Sequence, residues 1–175
     1  DNQSKGKQYN DDGKLEFDGE YKNGEKWNGK GYDKNGKIIL ELIDGNGIGN
    51  EYNKKGKLIF KGKYIGGKRN GEGREYNNDG KLIFKGDYLN GKRSGKGEEY
   101  KDGELIFKGE YLNDKRNGRG EEYNSKKLKF EGEYENGKRN GEGKEYDLNG
   151  NIEFEGEYVN GERKVRFISK LNKYI

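Results

Sequence analysis

Four Lys-Arg dipeptides recur along the chain, at Lys68-Arg69, Lys92-Arg93, Lys115-Arg116 and Lys138-Arg139. Cations placed in a regular row are suited to an anionic lipid surface, a glycan or a phosphate backbone. Carboxylates follow each pair at Glu72, Glu98, Glu121 and Glu142, close enough to neutralise the row. The plainer reading is solubilising charge that keeps sheet edges from pairing with other chains. Catalysis has little to work with. There is no His, which removes the usual general base and metal ligand, and no Cys, which removes thiolate chemistry and any disulfide framework. The serines Ser4, Ser94, Ser125 and Ser169 stand outside any G-x-S-x-G context. A carboxylate pair for glycoside hydrolysis is formally available, but Asp87, Glu110, Glu133 and Glu157 occupy equivalent positions, and a catalytic pair is unique within its pocket. The runs GEGREY and GKGEEY look like phosphate-cradling loops, yet no helical pattern follows them. Asp147 to Asn151 has the start of a calcium loop without its distal Glu, and reads as a turn. No catalytic residue, metal site or cofactor is expected, and the chain is not read as an enzyme.

The elements that must carry these residues are set by a repeat. With 40% charged and 26% hydrophobic residues the chain lacks the material for an ordinary core, and such a composition usually means disorder. Against that stand 14 Tyr and 7 Phe at fixed intervals, which favour a thin but ordered structure. A net charge of +4 with both signs finely interleaved argues against nucleic acid as a partner. No apolar run approaches membrane-spanning length. The start at Asp1 and the absence of Met point towards a processed, secreted or cell-surface protein, with the cytoplasm as the alternative.

From Phe60, Phe84, Phe107, Phe130 and Phe154 the same text returns, its marker glycines Gly62, Gly86, Gly109, Gly132 and Gly156 spaced 24, 23, 23 and 24. Leu15, Phe17, Gly19 and Tyr21 fit the same frame, and Ile38 to Tyr52 is a decayed copy, which makes about seven units. Leu82, Phe84, Gly86 and Tyr88 alternate with the period of a strand, and Asn90-Gly91 is a type I′ turn signal. Each unit is therefore a hairpin. A two-residue turn at Asn90-Gly91 places Tyr88 opposite Arg93, Gly86 opposite Gly95 and Phe84 opposite Gly97. Glycine facing a ring lets the ring lie flat on the backbone, so Phe60, Tyr64, Phe84, Tyr88, Phe107, Tyr111, Phe130, Tyr134, Phe154 and Tyr158 are expected to stack into one ribbon, the core. Tyr100 is out of phase and is left open between the two faces.

The expected fold is all-β: an elongated, single-layer antiparallel meander of about seven tandem hairpins, twisted or curled. Residues 1–164 form one repeat domain. Residues 165–175 form a short C-terminal cap. Facing away from the ribbon, Ile59, Ile65, Ile83, Leu89, Ile106 and Leu112 make an apolar strip that fades into Lys129, Glu135 and Glu153, and is either a partner or self-association surface or ordinary cross-strand packing.

The motif F-x-G-x-Y-x-N-G-K-R-x-G-x-G-x-x-Y, as it stands from Phe84 to Tyr100, resembles the MORN repeat, and most closely its bacterial-type variant. The resemblance runs from about Gly6 to Glu162, departing from the commoner form in the three-residue step from the second Gly of G-x-G to Tyr. It implies a non-catalytic scaffold or protein-interaction module, surface-exposed in a bacterium, with a protein partner or an anionic membrane as ligand. Binding through the Lys-Arg edge would weaken steeply with salt and binding through the strip would not.

Overall fold

The computed structural model describes residues 2–164 of the 175. Within them every regular element is a strand. The first seven are β1 (Gln3–Tyr9), β2 (Leu15–Lys22), β3 (Glu25–Tyr32), β4 (Ile38–Leu42), β5 (Gly47–Tyr52), β6 (Leu58–Ile65) and β7 (Lys68–Tyr76). They continue as β8 (Leu82–Leu89), β9 (Lys92–Lys101), β10 (Glu104–Leu112), β11 (Lys115–Asn124), β12 (Lys127–Glu135), β13 (Lys138–Tyr146), β14 (Ile152–Val159) and β15 (Glu162–Arg163). All fifteen join one antiparallel sheet in chain order, open rather than closed into a barrel. The fold is thus a single-layer all-β meander of successive hairpins. The cap expected over residues 165–175 lies outside the described residues.

Turn chemistry explains the regularity. Asn90 and Gly91 have φ of 52° and 88°, the two positive values a type I′ turn demands. The longer turns are closed by a side chain: Asn77 Oδ1 accepts from the backbone N–H of Asp79 and of Lys81, each at 2.9 Å. Ser125 and Lys126 form a type I′ turn without glycine, at φ of 48° and 66°. A side chain in the left-handed region costs roughly 1–2 kcal/mol. Lys126→Gly is therefore expected to raise the unfolding free energy by about 0.5–1 kcal/mol, after the entropy of glycine is subtracted. Urea denaturation reads this directly, and a lower midpoint would show that the turn carries no strain.

The register corrects the sequence expectation. Tyr88 does pair with Arg93, but Gly86 pairs with Gly97 and Phe84 with Glu99. A bulge on β9 accommodates the extra residues between those pairs, with Gly95 at φ 96°. The physical reason is the close approach of the two glycines: a Cβ on Gly86 would lie 2.6 Å from the Gly97 Cα. A Cβ on Gly97 would lie 2.5 Å from Cζ of Phe84, because the ring covers the glycine pair. The other regular units repeat this arrangement, as in Gly62 with Gly73 and Gly132 with Gly143.

Burial follows. Phe17, Phe60, Phe84, Phe107 and Phe130 are 0% exposed, and Tyr64, Tyr88, Tyr111, Tyr134 and Tyr158 are also buried; Phe154, in the last described unit, is partly covered. Each ring meets its neighbours edge to face. Phe84 lies 5.7 Å from Tyr88 in its own unit and 5.1 Å from Tyr111 in the next, and Phe107 contacts Tyr111 and Tyr134 likewise. This geometry adds about 0.5–1.5 kcal/mol per pair beyond area burial. The decayed unit interrupts the chain of rings. Leu40 and Leu42 stand where the motif has Phe and Gly, the turn comes early at Asp44-Gly45, and Leu40 with Gly49 is the single ladder pair between β4 and β5.

Candidate functional site

The two faces of the sheet carry different chemistry. On the ring face every regular unit builds the same clamp. The Arg116 guanidinium lies 4.0 Å above the Phe107 ring and donates to both oxygens of Glu99 in the preceding unit, at 3.0 and 2.6 Å. The Tyr111 hydroxyl donates to the same carboxylate at 2.7 Å. Arg139, Phe130, Glu122 and Tyr134 repeat this set, and so do Arg69, Phe60, Glu51 and Tyr64. Arg93 stacks on Phe84 and pairs with Glu75, and Arg163 pairs with Glu145. The Tyr88 and Tyr158 hydroxyls are buried in the same setting, beside Glu75 and Glu145. Burial alone pushes the Glu99 carboxyl up, but the hydrogen bonds from Arg116 and Tyr111 outweigh it and hold the group below its ordinary value. Glu51, Glu75 and Glu122 behave alike, while burial and the adjacent carboxylate push the Tyr111 hydroxyl up.

These clamps account for half of the basic row. In each Lys-Arg pair the two side chains face opposite sides of the sheet, as neighbours in a strand must. Arg69, Arg93, Arg116 and Arg139 are held on the ring face by carboxylates. Lys68, Lys92, Lys115 and Lys138 lie on the other face, paired across the turn with Ile65, Leu89, Leu112 and Glu135. Lys68 reaches Glu25 at 3.3 Å, whereas Lys92, Lys115 and Lys138 make no salt bridge among the described residues. The neutralising carboxylates also differ from those expected. Glu98 sits on the face opposite the guanidinium, where it pairs with Lys85 at 3.5 Å and accepts from the Tyr100 hydroxyl. That bond places Tyr100 on the face away from the rings, and Tyr123 with Glu121 does the same.

This second face is concave. Its trough, of about 1410 Å³, runs from Ile48 to Glu155 across β5–β14. Glycine backbone and the side chains between the glycines form the floor, among them Lys85, Asp87, Lys96, Glu98, Lys108, Glu110, Arg119 and Glu121. On the same face, outside the lining at the turn ends of β6, β8 and β10, stand Ile65, Leu89 and Leu112, 42%, 54% and 51% exposed. Ile59, Ile83 and Ile106 lie at the far ends of the same strands, half-buried where small bulges leave them without a register partner. The six apolar residues expected as one strip are thus two rows, separated by six residues or about 20 Å along each strand. Two features were not anticipated from the sequence. One is the charged floor between the rows. The other is the clamp carboxylate, whose signal was the Glu-Tyr dipeptide recurring at 51–52, 75–76, 99–100, 122–123 and 145–146. Among the described residues no group of three or more carboxylates is arranged to hold a metal ion.

Two family models match the chain. The MORN repeat matches residues 84–104, 107–126, 130–152 and 154–166, and the MORN repeat variant matches residues 4–23 and 69–90. A comparison with curated proteins finds no match. The matched segments cover more than half of the sequence and include most of the hairpins that carry the ring chain and its clamps, so the chain belongs to the MORN-repeat family.

Proposed function

We propose that the protein is a non-catalytic scaffold whose trough is the binding face for an elongated protein partner. MORN repeats are non-enzymatic modules of protein or membrane interaction, and this chain carries the repeat along most of its length. The observation that favours a protein partner is the trough itself. It is concave, its floor mixes both charge signs, and on the same face, outside its lining, Ile65, Leu89 and Leu112 are exposed to solvent. A flat anionic surface neither enters a concavity nor matches a mixed floor. The sheet face has its backbone groups already paired in the ladder, so recognition there runs through side chains.

A second reading, a peripheral binder of anionic lipid or polymer, is favoured by one observation: Lys92, Lys115 and Lys138 repeat once per hairpin, roughly 10 Å apart, and none is in a salt bridge among the described residues. Arg69, Arg93, Arg116 and Arg139, which would have added to the charge of this row, are paired with Glu on the other face.

Peptides selected from a displayed random library on the intact chain separate the two readings, together with light scattering of anionic phosphatidylserine vesicles at low and physiological salt. The trough reading expects selected peptides to lose at least roughly tenfold in affinity in a Leu89→Asp, Leu112→Asp variant. It expects them to be indifferent to replacing Lys92, Lys115 and Lys138 by Ala. The reverse pattern, with vesicle binding that vanishes as salt rises, replaces it with the second reading.

A further inference from the structure

The trough is electrically polarised along its length. Across β6–β8 its lining holds four cations, Lys61, Lys63, Arg74 and Lys85, against Glu72 and Asp87. Across β9–β11 three cations and three carboxylates alternate. Across β12–β14 four carboxylates, Glu131, Glu133, Glu142 and Glu155, face Lys144 alone.

Like charges also stand directly opposite one another at both ends. Lys61 pairs in register with Arg74, Arg74 with Lys85 and Glu72 with Asp87; at the other end Glu121 pairs with Glu131 and Glu142 with Glu157, which Lys164 also binds. Such pairs oppose folding by a few tenths of a kcal/mol or more each. Other floor positions place opposite charges together, as in Lys85 with Glu98, Lys144 with Glu155 and, in register, Arg119 with Glu133. Lys61, Lys63 and Arg74, and likewise Glu133 and Glu142, make no salt bridge among the described residues. Side chains that find no ion-pair partner within the fold leave their charge for a ligand.

Resting on the trough reading, we infer that the partner is a polypeptide segment whose own charge is segregated, an acidic stretch lying over Lys61, Lys63 and Arg74 and a basic stretch over Glu133 and Glu142. A second copy of this chain is a poor occupant, since two concave faces do not mate. The cationic and anionic ends lie about 30–40 Å apart across the strands, a span covered by about ten to twelve extended residues. Specificity in such a site comes from repulsion as much as attraction, because a segment of uniform charge is rejected at one end or the other.

The test uses two fluorescein-labelled synthetic peptides of identical composition in Glu, Lys and Leu. One carries its Glu in the first half and its Lys in the second, and the other alternates them. Fluorescence anisotropy with the intact chain at low ionic strength is expected to show roughly tenfold tighter binding of the segregated peptide. The preference should disappear in the Glu133→Lys, Glu142→Lys variant, whose fold is checked by its thermal melt, and that variant should gain affinity for an all-Glu peptide. Equal binding of the two peptides that still weakens with Leu89→Asp, Leu112→Asp would overturn the polarity while leaving the trough as the site. Binding insensitive to both sets of changes removes the trough reading as well. If neither peptide binds, the charge polarity does not select a ligand and the inference falls.

Discussion

Phe107→Ala is expected to destabilise the protein by about 3–5 kcal/mol, a large fraction of the stability of any domain this size. The ring is 0% exposed, sits edge to face with Tyr111 and Tyr134, and is covered by the Arg116 guanidinium. A single-layer sheet has no second layer to collapse into the vacancy, so the cost should sit near the upper end. Phe154→Ala removes the same chemistry from a half-buried position whose ring contact is Tyr158, and should cost less than half as much. Because each unit touches mainly its neighbours, loss of a central ring should also broaden the urea transition or divide it in two. Equilibrium denaturation followed by tyrosine fluorescence and by circular dichroism reads both effects. Equal costs at the two positions would mean that the chain of rings is not what couples the units.

The second large effect is loss of stability in acid. Glu51, Glu75, Glu99, Glu122 and Glu145 all have pKa values held below the ordinary 4.5. In each, the hydrogen bonds and charge of the facing Arg override the upward push of burial. A lowered folded-state pKa means that the unfolded chain takes up protons first as the pH drops. The stabilisation is therefore complete above the unfolded value and is lost as the pH falls through the folded value. The melting temperature should be level near neutrality and fall steeply below about pH 4.5, with five equivalent groups contributing together. Glu99→Gln should cost about 1.5–3 kcal/mol at neutral pH, the worth of a hydrogen-bonded charge, and should flatten the acid limb relative to the unaltered protein. An acid limb of unchanged slope in this variant would show that the clamps do not set the pH response.

Much of this fold was legible in the sequence, and the reason is spacing. F-x-G-x-Y at a period of 23 or 24, divided by Asn-Gly and Asp-Gly turns, specifies strand, face and turn type together. The register was not legible, because G-x-G offers two glycines and residue type alone does not say which one takes the positive φ. Gly95 takes it and Gly97 packs under Phe84. Alternation placed Ile65, Leu89 and Leu112 away from the rings, yet a two-residue period does not say which face of a sheet becomes concave. Asp87, Glu110 and Glu133 are therefore legible only as equivalent repeat positions, and not as the floor of a trough. The Lys-Arg pairs were grouped as dipeptides, although consecutive residues of a strand face opposite ways. Arg116 and its equivalents reach across to the preceding unit, and that distance in sequence hides their Glu partners.

The interrupted hairpin has a consequence for the ribbon as a mechanical object. Ring contacts run unbroken from Phe60 to Tyr158, and Phe17 with Tyr21 forms a separate pair, with Leu40 and Leu42 between them. Stiffness along the long axis is therefore uneven. Five hairpins bend as one rigid bar, and the short β4–β5 ladder, the Leu40–Gly49 pair with the Ile43–Asn46 bridge beside the turn, makes a more compliant joint to the strands before it. A load applied between the two ends concentrates its strain at that joint, so tension parts the ribbon there first and leaves the bar that carries the trough from β6 onward intact.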